Sequence, residues 1–117
     1  MKAIHLNKED FLQKIDNFEV NGSNWKFEGD RPAVIDFYAS WCGPCKAMSP
    51  IIDDLAGEYE GKVDIYKINV EDEQELAGLF NVRSIPTLVF FSIVGLPQVS
   101  IGGKDKSTLK SIIDGLK

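Results

Sequence analysis

Cys42 and Cys45 are the chain's only cysteines, and they stand together in Trp41-Cys42-Gly43-Pro44-Cys45. On a helix, residues three apart have Cβ atoms ~5–6 Å from one another, near the roughly 3.8 Å of a disulfide, so such a pair can close and reopen with little motion. If Cys42 is the N-cap of a helix, its sulfur faces the unpaired N–H groups of the first turn, that of Cys45 included. Those donors and the positive helix end favour a thiolate over a thiol. Pro44 falls where a missing N–H costs little, and it stiffens the turn. Two sulfurs in unequal settings make an exchange catalyst: the exposed one attacks, a mixed disulfide forms, and the second resolves it. Cys42 is then the nucleophile, and Cys45, one turn inside and less accessible, the resolving thiol.

Two duller readings compete. A zinc site needs further Cys or His ligands, and only His5 remains, far off in sequence, so no metal is expected. A purely structural bridge over two residues closes almost no loop and would stabilise little. A third titratable group joins the cysteines: Asp36 sits six residues before Cys42, inside the apolar run Ala33-Val34-Ile35-Asp36-Phe37-Tyr38-Ala39. Buried without a partner, a carboxyl has a raised pKa, which makes Asp36 a candidate proton relay.

The elements that must position these groups follow from periodicity. The run 33–39 reads as a central strand covered on both faces, delivering the cysteine motif at its carboxyl end, where open α/β sheets gather their sites. From Cys42 to Tyr59 the period is helical, with Met48, Ile51, Ile52, Leu55 and Tyr59 on one face, Pro50 inside and Gly61 as the stop. Before it come a strand at Ala3–Leu6, a helix capped by Asn7 that carries Phe11, Leu12, Ile15 and Phe18, and a loop over 19–32 pinned by Trp25 and Phe27. After it come a strand at Val63–Val70 and a helix opened by Glu71, Asp72 and Glu73. Strands at Thr87–Ser92 and Gln98–Ile101 follow, then a last helix capped by Ser107 with Leu109, Ile112, Ile113 and Leu116 inside. The order β-α-β-α-β-α-β-β-α predicts an α/β fold, a mixed twisted sheet with helices on both faces, in a single domain over 1–117.

Composition excludes several function classes. With 13 Lys plus Arg against 18 Asp plus Glu, the net charge of −5 argues against a nucleic-acid partner. No run of about 18 apolar residues suits a membrane span. The first residues lack a charged segment followed by an apolar stretch and a cleavage site, so a cytoplasmic monomer is expected. His5 and the acidic triplet read as surface and helix start.

The hexapeptide Trp41-Cys42-Gly43-Pro44-Cys45-Lys46 resembles the signature of the thioredoxin family, and the resemblance extends over Val34–Pro50, Lys67-Ile68-Asn69-Val70 and Val82-Arg83-Ser84-Ile85-Pro86-Thr87. It implies the thioredoxin fold and protein-disulfide reduction without a cofactor, with regeneration by a thioredoxin reductase. It also implies that Asp36 handles the proton of the resolving thiol with Lys67 as its lysine partner. Pro86 matches the family's cis-proline, and the backbone of Ile85 before it matches the segment that pairs with the substrate chain. Trp41 matches the tryptophan flanking the motif and Gly102 or Gly103 the glycine lining the substrate groove, and the resemblance implies that Gly43 and Pro44 meet the substrate as well. Gly43-Pro44 is the reducing members' dipeptide. A thioredoxin-fold oxidant or isomerase, and a non-catalytic binding subunit, are the alternatives. Two features depart from the pattern: Tyr38 replaces a common tryptophan, expected to matter for fluorescence more than chemistry, and the 19–32 loop is longer than in the shortest members. Trp25 in that loop is expected to pack.

Overall fold

A computed structural model describes residues 2–117. The elements run β1 (Ile4–His5), α1 (Lys8–Lys14), α2 (Phe18–Asn21), β2 (Ala33–Tyr38), α3 (Gly43–Glu58), β3 (Asp64–Asn69), α4 (Gln74–Leu79), β4 (Thr87–Phe91), β5 (Gln98–Ile101) and α5 (Lys106–Asp114). The five strands form one sheet in the order β1-β3-β2-β4-β5. β2 is parallel to β3 and antiparallel to β4, so the sheet is mixed and β2 lies at its centre. No helix among the described residues is long and apolar enough to cross a membrane.

Alternation along β2 sends its side chains to opposite faces. Val34 joins Ile65, Leu88 and Phe90 against Met48, Ile52 and Leu55 of α3 and Leu109 and Ile113 of α5. Ile35 and Phe37 join Ile68, Val89 and Phe91 against Phe11, Ile15 and Leu76 on the other side. Coverage on both faces is why the run tolerates almost no polarity, and why Asp36, only 1% exposed, stands out.

The first helix ends earlier than its apolar stripe suggests. Asn17 caps a second, short helix, its Oδ1 accepting from the Val20 N–H at 3.3 Å, and the chain turns between the two. Asp16, 2% exposed, fixes that turn: its Oδ1 accepts from Asn21 Nδ2 at 3.0 Å and from the Lys26 N–H at 3.1 Å. The segment that follows is held as expected, with Trp25 and Phe27 stacked on Phe91 at centroid separations of 5.5 and 5.7 Å.

Two caps also differ from expectation. α5 begins at Asp105 rather than Ser107, because Asp105 Oδ1 accepts from the Thr108 N–H at 2.8 Å and starts the helix earlier. Glu71 and Asp72 occupy the turn before α4, and Glu73 caps it without a side-chain hydrogen bond. α3 ends at Glu58, and Gly61, at φ +80°, turns the chain into β3 as only a residue without a Cβ does easily.

Candidate active site

Cys42 is the N-cap of α3, with φ −85° and ψ 114°, and its Sγ accepts from the Cys45 N–H at 3.2 Å. The two sulfurs are joined in a disulfide with Cα atoms 5.2 Å apart. The sequence implied an exposed Cys42 and a shielded Cys45, but exposures of 5% and 4% make them equally buried. In the closed disulfide each sulfur covers the other, and Ala39, Tyr38, Val70 and Ile85 pack around the pair. The asymmetry lies in what each sulfur faces. Cys42 Sγ lies 3.8 Å from the Ile85 carbonyl oxygen. Cys45 instead opens on a pocket of about 110 Å³ shared with Asp36, Tyr38, Ser49 and Lys67.

Inside that pocket Asp36 Oδ1 is buried with no hydrogen-bond partner among the described residues. Burial pushes its carboxyl up to about 6, and the positive charge of Lys67 works in the opposite direction. Lys67 is the register partner of Asp36 across β2 and β3. Its ammonium does not bond the carboxylate; it donates to Ser49 Oγ at 3.2 Å and sits 5.1 Å from the centroid of the Tyr38 ring. Lys67 is thus half-buried against the pocket and acts on Asp36 through space.

The corner beside Cys42, outside that pocket, comes from a distant part of the chain. The Ile85–Pro86 peptide bond is cis. Thr87 Oγ1 donates to the Ser84 carbonyl at 2.5 Å and ties this corner down. Of the two candidate glycines, Gly102 is the one linked to it: its N–H donates to the Pro86 carbonyl at 2.8 Å, at a φ of +93°. Gly103 instead borders α3, where an added Cβ would lie 3.5 Å from Met48 Sδ. Trp41 is 67% exposed beside the pair and stands outside the cluster packed on the sulfurs. Gly43 and Pro44 are exposed at the start of α3.

Ser49, Thr87 and the Tyr38–His5 contact escaped the sequence reading. Ser49 had a signal, since it lies one helical turn beyond Cys45 on the same face. Thr87 also had one, three residues on from the Ser84 carbonyl it bonds, whereas the Tyr38–His5 contact depends on how the strands are placed. Among the described residues, no three His, Cys, Asp or Glu side chains are grouped to hold a metal ion.

A disulfide at the amino end of a helix, facing a cis-proline corner, with an acid behind its second sulfur, defines a dithiol–disulfide oxidoreductase on a five-stranded mixed sheet. The thioredoxin family profile matches residues 2–115. A thioredoxin of Borreliella burgdorferi is 44% identical over 111 residues, 95% of this chain and 94% of that protein. One from Haemophilus influenzae is 36% identical over 113 residues, 97% and 95% of the two chains. A mutant thioredoxin from Halobacterium salinarum NRC-1 superposes with a TM-score of 0.76 at 27% identity, covering 98% of this chain and 90% of that one. The chain belongs to the thioredoxin family and has its fold and its protein-disulfide reductase activity.

Proposed function

We propose that residues 1–117 work as one domain in which Cys42 is the attacking sulfur and Cys45 the resolving one. The Cys42 thiolate displaces one sulfur of a partner's disulfide; a Cys42–partner bond forms, and the partner's other sulfur leaves as a thiolate that takes up a proton. Cys45 gives its proton to Asp36, directly or through water, and attacks Cys42 Sγ. The mixed bond breaks, the partner leaves with both sulfurs reduced, and Cys42–Cys45 is left oxidised. Two electrons have passed to the partner, and no cofactor takes part.

The observation that carries this reading is the Cys45 N–H aimed at Cys42 Sγ, which stabilises negative charge on that sulfur and no other. Asp36, raised to about 6, can accept a proton near neutrality, and Lys67 favours its ionised form. Trp41, Gly43, Pro44, Ile85, Pro86 and Gly102 form the face that meets the partner, Ile85 offering its carbonyl beside the reacting sulfur. The family acts on disulfide-containing proteins and is reduced by thioredoxin reductase, the donor we assign here. Gly43-Pro44 favours a reductant. Having its only two cysteines in the working pair suits a reducing compartment, the cytoplasm, and a monomer.

Substitution of each cysteine is the test. Cys42→Ser is expected to abolish insulin disulfide reduction. Cys45→Ser is expected to stop after one attack and to accumulate a covalent partner complex on a non-reducing gel. If the trapping variant is instead Cys42→Ser, or both variants match the parent, the assignment of roles is wrong.

A further inference from the structure

Tyr38 stands where the sequence promised nothing beyond a spectroscopic difference, yet three contacts place it in the electrostatics of the pocket. Its ring lies beneath Lys67 Nζ, 5.1 Å from centroid to nitrogen. Its hydroxyl is in hydrogen-bonding contact with His5 Nδ1, 3.2 Å away on the edge strand β1, and the two rings meet edge-on with centroids 6.0 Å apart. It lines the pocket with Asp36, Cys45, Ser49 and Lys67.

A lysine side chain on a strand has four rotatable bonds and ordinarily carries its ammonium out to water. Here Lys67 is caught between two groups, Ser49 Oγ at 3.2 Å on α3 and the π-face of Tyr38 on β2. Neither group bears a charge that would neutralise it, so its field remains available to Asp36, its register partner. A cation held over an aromatic face is attracted by the ring quadrupole, and Tyr38, pinned at its far end by His5, offers that face in a fixed orientation.

We propose that Tyr38, anchored by His5, is a positioning residue that holds the Lys67 ammonium at the pocket, where its charge favours the carboxylate form of Asp36. The proposal rests on the reading of Asp36 as proton acceptor for Cys45. The charged and titratable groups around the pocket are Asp36 and Tyr38 from β2, Lys67 from β3, and Cys45 and Lys46 from α3. Beyond them lie His5 from β1 and Asp72 from the turn before α4; burial, then the charges of Asp72 and Asp36, raise the Tyr38 phenol pKa.

The test follows the release of a partner from its mixed disulfide with Cys42 as a function of pH, read by rapid mixing of the full chain. In Tyr38→Leu the midpoint is expected to move up by about half to one pH unit, because an unheld ammonium no longer favours the carboxylate. Tyr38→Phe and Tyr38→Trp keep an aromatic face but lose the hydroxyl contact with His5, and each is expected to move the midpoint up by less than Tyr38→Leu does. Lys67→Gln should move the midpoint at least as far, and adding Tyr38→Leu to it should add nothing. The midpoint is read only over the pH range in which circular dichroism shows each variant to be folded, so loss of stability does not blur the result. If Asp36→Asn abolishes the transition while Tyr38→Leu leaves it in place, or if Tyr38→Leu shifts it equally without Lys67, the positioning role is overturned. If Asp36→Asn leaves the profile unchanged, it is the proton-acceptor reading that fails.

Discussion

Asp36 and Lys67 face each other across the parallel strands β2 and β3, and the lysine charge opposes, without cancelling, what burial does to the acid. A carboxyl raised to about 6 in the folded chain and near 3.9 unfolded makes folding pH-dependent. Below about pH 4 it is protonated in both states and costs nothing. As pH rises toward 6 the unfolded chain ionises first, so stability falls, and above 6 the whole loss, about 3 kcal/mol, is in place.

Asp36→Asn is therefore expected to be more stable than the parent at pH 8, by up to about 3 kcal/mol, with the gap closing below about pH 4. Urea unfolding of the oxidised proteins across this range measures it. A variant less stable than the parent at pH 8 would mean the carboxylate is well solvated.

Reduced Cys42 is expected to react with iodoacetamide at pH 7 roughly tenfold or more faster than Cys45, since thiolate character sets the rate. Mass spectrometry of the singly labelled protein reads which sulfur took the label. N-cap geometry sets this difference, the Cys45 N–H being aimed at Cys42 Sγ. Equal labelling would remove the physical basis for calling Cys42 the nucleophile.

Gly43-Pro44 between the cysteines leads us to expect a reducing potential, close to the reference value of about −270 mV for thioredoxin itself. Equilibration with glutathione buffers measures it. A potential above about −200 mV would place the protein with isomerases.

Trp25 stacks on Phe91 at 5.5 Å and meets Phe80 edge-on at 6.4 Å, on the sheet face opposite Asp36. Because the indole is only half-buried, Trp25→Ala is expected to cost about 2–3 kcal/mol of stability, below the range for a fully buried ring. Its rate of insulin reduction should match the parent's at a temperature where both are folded. A slower rate at unchanged stability would make the 19–32 segment a partner contact.

The cysteine pair and the central strand were legible because each is written in consecutive residues: an N-cap sulfur with its donor three residues on, and an apolar run interrupted by one acid. The strands of the sheet could be read for the same reason, and the ends of helices less well. Asn17 and Asp105 are both capping residues that an apolar periodicity overrides on paper, whereas in the chain a side-chain oxygen reaching a free N–H decides where a helix starts. Equal burial of the sulfurs was not legible, because it follows from the closed bond and from Ile85, forty residues downstream. The cis geometry at Pro86 and the pairing of Lys67 with Asp36 came from family resemblance; nothing local in the sequence distinguishes that proline or that lysine.

The pocket behind Cys45 does not include Cys42, Trp41, Ile85 or Gly102 among its walls. On the roles proposed above, the pair has two doors, one for a protein guest and another through which only something as small as a proton need travel. A guest seated against the Ile85 corner would then leave the back entrance open, and acid–base traffic could go on while the visitor is still attached.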